Sequence, residues 1–304
     1  MQLFRALATA CLFLLVLDVS TSEAASCFGE KARVATPISK VKVKAGQAVV
    51  LRNSKRVTVE AAGSNMICAK GGAVDLKLGG GGSSKVRLGP GDDSVLLVGK
   101  IKRTERRTIW TGLGNDKVTV TGRGNTIAYL SPTKVEPGAR DTDTYSGNED
   151  IDTVYDYGGG TDEHPNLIRG NRALDYLHSG GTARSDLFGG DGTDYLYAAS
   201  RGDGKDRLFG DRGNDRLDAR SGGGKSNGVY MDGAEGDDWY YGSAGPDAML
   251  SLSGVKKLYG GAGDDTFIRT AIGKSVIFGG LVATPFPTRA RSRQGGVHAV
   301  PAST

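Results

Sequence analysis

A nine-residue repeat recurs along this chain and limits the folds that the chain can adopt more than any other feature. Its pattern is G-G-x-G-x-D-x-U-x, in which U is a large apolar residue and the aspartate holds position six. The close copies are GGDGTDYLY (189–197), GDRGNDRLD (210–218), GAEGDDWYY (233–241), GSAGPDAML (242–250) and GGAGDDTFI (260–268). The looser copies are LGPGDDSVL (88–96), TGLGNDKVT (111–119) and RGDGKDRLF (201–209).

Large apolar residues keep the same nine-residue rhythm beyond the close copies. The residues so spaced are Ile67 and Leu76; Val86 and Val95; Val118 and Ile127; and Tyr240, Met249, Leu258, Phe267 and Val276. Each repeat then holds a glycine-rich turn of about six residues and a strand of about three, with the apolar residue directed inward. So short a strand cannot bury its side chain alone, and successive coils must therefore stack.

Two repeats complete one coil, so the sequence predicts an all-β parallel β-roll or β-solenoid with about 18 residues per coil. The fold also explains why 48 of the 304 residues are glycine, where about 7% would be usual. Glycine adopts the positive φ values of tight turns at low steric cost. A collagen-like chain is excluded because glycine does not recur at every third residue.

The repeats resemble those of the repeats-in-toxin (haemolysin-type calcium-binding) proteins. The resemblance is close over about 185–268, degraded over about 60–130 and poor over 131–184, which we interpret as insertions and worn copies. SNMICAKGG (64–72) also resembles the Asn-Asp-x-Ile-Cys-Gly-Gly form of secreted bacterial members, with Met66 or Asn65 in place of the aspartate.

The resemblance implies calcium bound between coils by the position-six aspartate and by carbonyl oxygens of the turns, which suit a cation that takes about 6–8 oxygen ligands. The matching aspartates are Asp93, Asp116, Asp194, Asp206, Asp215, Asp238, Asp247 and Asp265. The turn residues that join them in the predicted sites are Gly189, Asp191, Gly210, Asp211, Gly233, Gly242 and Gly260. The alternative is that these aspartates only form Asx-turns with the backbone.

Ligand pairs should lie one coil apart. Asp247 and Asp265 have the 18-residue spacing, and Asp194 and Asp215 would share a side if the turn at 198–201 carries an insertion. Lys256 holds position six in SLSGVKKLY (251–259), one coil after Asp238, so a Lys256–Asp238 ion pair could replace a calcium ion there.

Ser84 holds position six in GGGGSSKVR (79–87), so the N-terminal coils should bind few ions or none. We expect about two to four occupied calcium sites, mainly within 189–267.

Residues 1–25 have the pattern of a secretory signal: Arg5 precedes the 12-residue apolar run 6–17, which is followed by small residues. The run is shorter than the ~20 residues of a membrane-spanning helix. We expect cleavage within 24–27 and a secreted protein without a transmembrane segment; an uncleaved N-terminal anchor is the alternative.

The even pair Cys27 and Cys68 then suggests a disulfide, or else Cys27 is a lipidated first residue. The tail 281–304 has three prolines and the basic patch TRARSR, and we expect a disordered extension.

Charge divides the chain into segments. Residues 26–140, which we assign to degenerate coils, hold 21 Lys and Arg against 8 Asp and Glu. Residues 141–267 hold 12 against 24, and they comprise the irregular acidic coils of 141–184 and most of the calcium-binding repeats of 185–280.

The basic runs SKVKVKAG (39–46) and KIKRTERR (100–107) allow an interaction with an anionic polymer or a cell surface, although solvated charge runs are the ordinary interpretation. We expect no nucleic-acid partner.

No H-E-x-x-H or G-x-S-x-G motif occurs, so the leading hypothesis is a non-catalytic calcium-binding protein with a structural or surface-interaction role. The alternative is an enzyme acting on extracellular polysaccharide, with His164, Asp156, Asp162 and Glu163 in a cleft formed by 141–164. DTDTYSGNEDID (141–152) partly resembles an EF-hand loop, so an irregular extra calcium site is one interpretation, and a solvated loop is the favoured one.

Overall fold

The computed structural model describes residues 25–35, 40–52, 55–131, 141–158, 161, 163–181, 184–199, 205–222, 227–269, 275–278 and 298–300. These residues form strands and turns, and none of them is helical. Accordingly, the described chain contains no helix long and apolar enough to cross a membrane. The signal-like residues 1–24 and most of the tail lie outside the described residues.

Twenty-seven strands follow one another along the described chain. The first thirteen are β1 Ala25–Cys27, β2 Glu30–Ala35, β3 Lys40–Val43, β4 Ala48–Leu51, β5 Val57–Ala62, β6 Met66–Ala69, β7 Val74–Gly79, β8 Ser84–Arg87, β9 Ser94–Leu97, β10 Arg107–Trp110, β11 Lys117–Val120, β12 Thr126–Leu130 and β13 Thr144–Ser146. The others are β14 Asp152–Asp156, β15 Asn166–Arg172, β16 Tyr176–Ser179, β17 Ser185–Gly192, β18 Tyr195–Ala198, β19 Arg207–Gly213, β20 Arg216–Asp218, β21 Tyr230–Asp232, β22 Trp239–Tyr241, β23 Ala248–Ser251, β24 Lys256–Tyr259, β25 Thr266–Arg269, β26 Ser275–Phe278 and β27 His298–Val300.

The strands form two long sheets that face each other across the core. Sheet 1 has 15 strands, in the order β1, the even-numbered strands β2 to β26, and β27; sheet 2 has the 12 odd-numbered strands β3 to β25. The pairing is parallel throughout except between β1 and β2. Because the chain alternates between the sheets, each coil adds one strand to each, and the predicted β-solenoid is confirmed with about 11 coils.

The coils vary in length more than the repeat predicts. Met231, Met249 and Phe267 are paired at the 18-residue spacing expected for two repeats. Val118 pairs with Tyr145, 27 residues later. The strands pair in parallel in both places, so the extra residues of the longer coil lie outside the paired strands.

The interior is lined by inward-facing apolar residues of the strands, such as Val86, Ile109 and Leu196. Tyr240 and Leu258 are buried as expected, but Ile127 and Val276 are only half-buried and lie on the outer face. Ala128 and Ile277 take the interior positions instead. Side chains alternate between faces, so one extra residue in the preceding turn moves the expected residue outward.

The Cys27–Cys68 disulfide is present and joins β1 to β6. Both cysteines are buried together with Val50, apart from the main core. The bridge holds the antiparallel strand β1 against the first parallel coils, as predicted from the even cysteine pair.

A column of stacked rings runs along the outer face of sheet 1. Trp110, Tyr129, Tyr155, His178 and Tyr197 occupy the same register position on β10 to β18, with successive ring centroids 5.3, 5.1, 4.7 and 4.4 Å apart. These spacings are close to the ~4.8 Å between neighbouring strands. Ring stacking therefore stabilises the coil-to-coil register in this region.

Candidate cation sites at the turns

Aspartate side chains form two ladders, one on each side of the solenoid where the chain passes between the sheets. Every ladder residue precedes an interior apolar residue by two positions, as Asp194 precedes Leu196. The A side comprises the turns from sheet 2 to sheet 1, and its ladder is Asp152, Asp175, Asp194, Asp215 and Asp238. The B side comprises the turns from sheet 1 to sheet 2, and its aspartates are Asp93, Asp116, Asp143, Asp206, Asp247 and Asp265.

One oxygen of each A-side carboxylate bonds to the neighbouring coil. The backbone N–H of Asp194 donates to Asp215 Oδ1, and that of Asp215 donates to Asp238 Oδ1, each at 2.8 Å. The N–H groups of Asp152 and Asp175 donate in the same way to the following aspartate. The predicted pairing of Asp194 with Asp215 is therefore correct, in spite of their 21-residue spacing.

The B-side ladder uses the same contact. The N–H of Asp93 donates to Asp116 Oδ1, and that of Asp247 donates to Asp265 Oδ1. Val229 interrupts the run of carboxylates between Asp206 and Asp247, although its N–H still donates to Asp247 Oδ1. The B side thus keeps its hydrogen-bond pattern where a carboxylate is missing.

The second carboxylate oxygen of several ladder residues is buried without a hydrogen-bond partner among the described residues. This holds for Oδ2 of Asp93, Asp175, Asp194, Asp215 and Asp265. A buried carboxylate oxygen without a donor or a cation is costly. Each such atom therefore marks a place where a positive group would be stabilising.

The first glycine of each close repeat leaves room for this oxygen. A Cβ at Gly189 or Gly210 would collide with Oδ2 of the aspartate five residues later. The same is true of Gly233, Gly242 and Gly260. Glycine at position one is thus required by the close approach of the carboxylate to the turn.

Burial raises the pKa of the ladder carboxyls. Desolvation is the largest cause, and it raises the pKa of Asp194 to about 7, of Asp215 to about 8 and of Asp175 to about 9. The charge of the next aspartate in the ladder adds to the effect at Asp175 and Asp215. Without a cation, the ladders hold carboxylates in an environment that disfavours their charge.

Lys256 shows what a cation contacts in one of these turns. Its fully buried Nζ forms the predicted ion pair with Asp238 Oδ2. It also donates to the carbonyl oxygens of Ala234 at 3.0 Å and Gly236 at 2.8 Å. Positions two, four and six of the turn 233–238 therefore surround a positive charge with three oxygen atoms.

Arg107 holds the equivalent place near the other end of the A side. Its side chain is buried, and Nη2 donates to the carbonyl oxygens of Gly80 at 3.0 Å and Val98 at 2.8 Å. We predicted that the run KIKRTERR is a solvated surface, and this is wrong for its last residue. Gly80 holds position two of its repeat, as Ala234 does, so two unrelated turns accept a cation at the same carbonyl.

Two of the predicted ligands lie away from the buried oxygens. The Asp191 side chain is half exposed and faces Arg172 and Arg212, at 3.6 and 3.8 Å. Asp211 replaces the second glycine of its repeat and has a φ of 68°, and its side chain is exposed. Asp191 holds position three of its repeat and Asp211 holds position two, so each contributes only its backbone to the turn.

Asp143, Asp152 and Asp175 belong to the ladders but were missed by the search for the nine-residue pattern. All three lie in a region that we interpreted as insertions and worn copies, although β13 to β16 continue both sheets there without interruption. The shorter signal G-x-x-x-x-D-x-U would have found them, as in GNEDIDTV (147–154) and GNRALDYL (170–177).

The segment 141–152 is neither an EF-hand loop nor the solvated loop that we favoured. Asp141, Asp143 and Asp152 are all buried, and β13 runs through the middle of the segment. The Oγ of Ser131 lies 2.9 Å from a carboxylate oxygen of Asp141 and 2.8 Å from one of Asp143, within hydrogen-bond distance of both. These acids face the interior because the alternation of side chains along a strand directs every second residue inward.

Asp156 and His164, which were proposed for a catalytic cleft, lie in different environments. Asp156 is buried and bonded to Asn166 and Ser185, whereas His164 is exposed. Tyr155 stacks with Tyr157 on the outer face of sheet 1. Asp162 lies outside the described residues, and the positions of Asp156 and His164 give the polysaccharide-enzyme hypothesis no support.

Within the described ranges, no group of three or more His, Cys, Asp or Glu side chains is placed to hold a metal ion. A cation in these turns would take most of its protein ligands from backbone carbonyls, as Lys256 does. Comparison of the chain with protein-family models, with curated proteins and with solved structures gave no match.

Proposed function

We propose that this chain is a secreted calcium-binding β-solenoid, stabilised by ions held along its aspartate ladders, with a structural role outside the cell. The observation that carries the proposal is the contact set of Lys256: a cation at this place meets two turn carbonyls and a buried carboxylate. Oxygen atoms are the ligands that calcium prefers.

The turns that precede Lys256 offer the same atoms without an internal cation. Asp194 with the carbonyls of Gly190 and Gly192 would hold one ion, and Asp215 with those of Asp211 and Gly213 would hold another. Their unpartnered Oδ2 atoms are the buried oxygens that need a positive charge. Bound calcium would supply that charge and bridge neighbouring coils, since each turn stacks directly on the next.

Secretion is supported by the signal-like N-terminus and by the disulfide, which persists in oxidising compartments. The resemblance of 185–268 to repeats-in-toxin proteins supports calcium as the ion.

Isothermal titration calorimetry of the chelator-treated chain tests the proposal. We expect saturable calcium binding with more than one ion per chain, and much weaker binding of magnesium, which demands a tighter octahedral geometry. A chain that takes up neither ion, or that binds both equally, would rule out calcium sites of this kind.

A further inference from the structure

A groove of about 760 Å³ lies at the B-side edge of sheet 2, on its outer surface. Four successive coils contribute to it, through the turn before β17 and through β19, β21 and β23. The residues that the argument uses are Arg184, Lys205, Arg207, Phe209, Tyr230 and Pro246. Its volume is within the ~300–1,000 Å³ of typical ligand sites.

Two cations of the groove form no ion pair with any residue that the structure describes. Lys205 and Arg207 are exposed, and neither has an ion-pair partner in the described part of the chain. Arg184 is different because its guanidinium is held by both carboxylate oxygens of Asp186, at 2.8 and 2.7 Å. The adjacent Asp206 does not neutralise the groove, since its side chain is buried and bonded to Ser179 and Ser185.

Aromatic rings form the apolar part of the groove. The rings of Phe209 and Tyr230 are tilted by 48° with centroids 5.6 Å apart, and Pro246 is exposed beside them. The other face of Phe209 stacks on Phe188 at 4.7 Å, which fixes the orientation of its ring. An apolar floor with a few charged groups at the side is the usual composition of a small-ligand site.

We propose that this groove binds a carboxylated sugar unit of an acidic polysaccharide. The sugar carboxylate pairs with Arg207 and Lys205, and the apolar face of the sugar ring packs against Phe209 and Tyr230. Arginine and lysine at one edge complement a single carboxylate. This site goes beyond the calcium-stabilised scaffold, and no ladder aspartate lines it.

A carboxylated sugar fits the surrounding charge better than a nucleic acid does. Residues 141–267 hold 24 acidic residues against 12 basic ones, so the groove is a small positive area in an acidic region. Nucleic-acid binding draws its affinity from many phosphate contacts along the backbone, whereas this groove offers two exposed cations. A sugar unit with one carboxylate needs only Lys205 and Arg207 to balance its charge.

Calorimetric titration of the full chain with oligogalacturonate, at fixed free calcium, tests the assignment. We expect binding that weakens with added salt, and no binding of neutral glucose oligomers of equal length. Arg207→Gln should weaken binding by about tenfold, with an unchanged circular dichroism spectrum and calcium isotherm. Tyr230→Ser should also weaken it by removing the ring contact.

Lys117→Gln is the matched control, because Lys117 is exposed and occupies the position of Arg207 four strands earlier in sheet 2. Its affinity for oligogalacturonate should equal that of the unmodified chain. The assignment is overturned if Arg207→Gln binds as tightly as Lys117→Gln, or if neutral oligomers or single-stranded DNA bind as well as oligogalacturonate. None of these results bears on the calcium titration, so the calcium proposal is tested independently of the groove.

Discussion

The ammonium group of Lys256 is buried against the carboxylate of Asp238, and neither side chain is exposed to solvent. Lys256 holds the ladder position at which the preceding A-side coils carry aspartate. Its ammonium group therefore comes directly after a series of carboxylates. The same turn supplies two carbonyl oxygens to the ammonium. This pairing is the structural basis for treating the other ladder turns as cation sites.

Replacing Lys256 by methionine should strongly destabilise the C-terminal coils. Removing one partner of a buried ion pair leaves an uncompensated charge, which costs about 3–5 kcal/mol. Lys257→Ala is the control, since Lys257 is the next residue, half-buried, and packs over Trp239; its loss should cost about 0.5–1 kcal/mol. Urea unfolding in calcium buffer would measure both changes, and equal losses would show that Asp238 needs no cation.

Asp194→Asn should weaken calcium binding, whereas Asp191→Asn should not. Both residues belong to the turn 189–197, but Asp194 is buried in the ladder and Asp191 is half exposed beside two arginines. Asparagine keeps the Oδ1 acceptor and removes the charge, so we expect a calcium affinity about tenfold or more lower at the affected site. Calorimetry of the two variants decides the matter: a larger effect at Asp191 would exclude the proposed ligand set.

The calcium-free chain should lose stability as the pH rises. Burial raises the pKa of Asp215 to about 8 and of Asp175 to about 9, from an ordinary value of 3.8. A carboxyl whose pKa is raised by folding contributes stability that is complete below about pH 4 and is lost as the pH rises through the folded-state value. Thermal melts of chelator-treated protein should therefore give a lower Tm at pH 9 than at pH 5, and an increase over this range would contradict the assigned burial.

The disulfide should contribute mainly to the stability of the N-terminal coils. Cys27 and Cys68 are 41 residues apart, and closure of a loop of this length is worth about 4 kcal/mol in the chain-entropy model. The double variant Cys27→Ser, Cys68→Ser should lose about that much free energy of unfolding in denaturant titrations. No difference between the variant and the oxidised chain would show that β1 is held by its packing alone.

The fold could be predicted because each position of the repeat has a fixed place in the coil. The aspartate at position six and the apolar residue two places later fix which side chain faces the turn and which faces the core, as for Asp194 and Leu196. The count of nine failed where a turn is longer, by one residue before Ala128 and Ile277 and by more in the coil that joins Val118 to Tyr145.

The ladder is longer than the glycine pattern indicates because other residues can replace glycine at a cost in strain. In the turn that leads to Asp175, Asn171 and Ala173 adopt φ values of 81° and 76°. These are conformations that glycine adopts more readily. Loss of the glycines hid Asp175 from the pattern, although its backbone follows the same course.

Arg107 could not be placed from the sequence. It ends a run of charged residues that otherwise lies on the surface, and only its register opposite Ser84 brings it into the ladder. The groove beside Phe209 could not be predicted from the sequence either, because its residues come from four coils of unequal length. Both depend on how the coils stack, which a local motif does not record.

Thermal unfolding of the full chain in chelator and in millimolar calcium, followed by circular dichroism, tests the central claim most directly. A ligand that binds only the folded state stabilises it by about 2.7 kcal/mol at a concentration of 100 times its Kd. The account predicts a higher Tm and a stronger β signal in calcium, with no comparable change in magnesium. Identical spectra and identical melting temperatures in chelator and in calcium would contradict it.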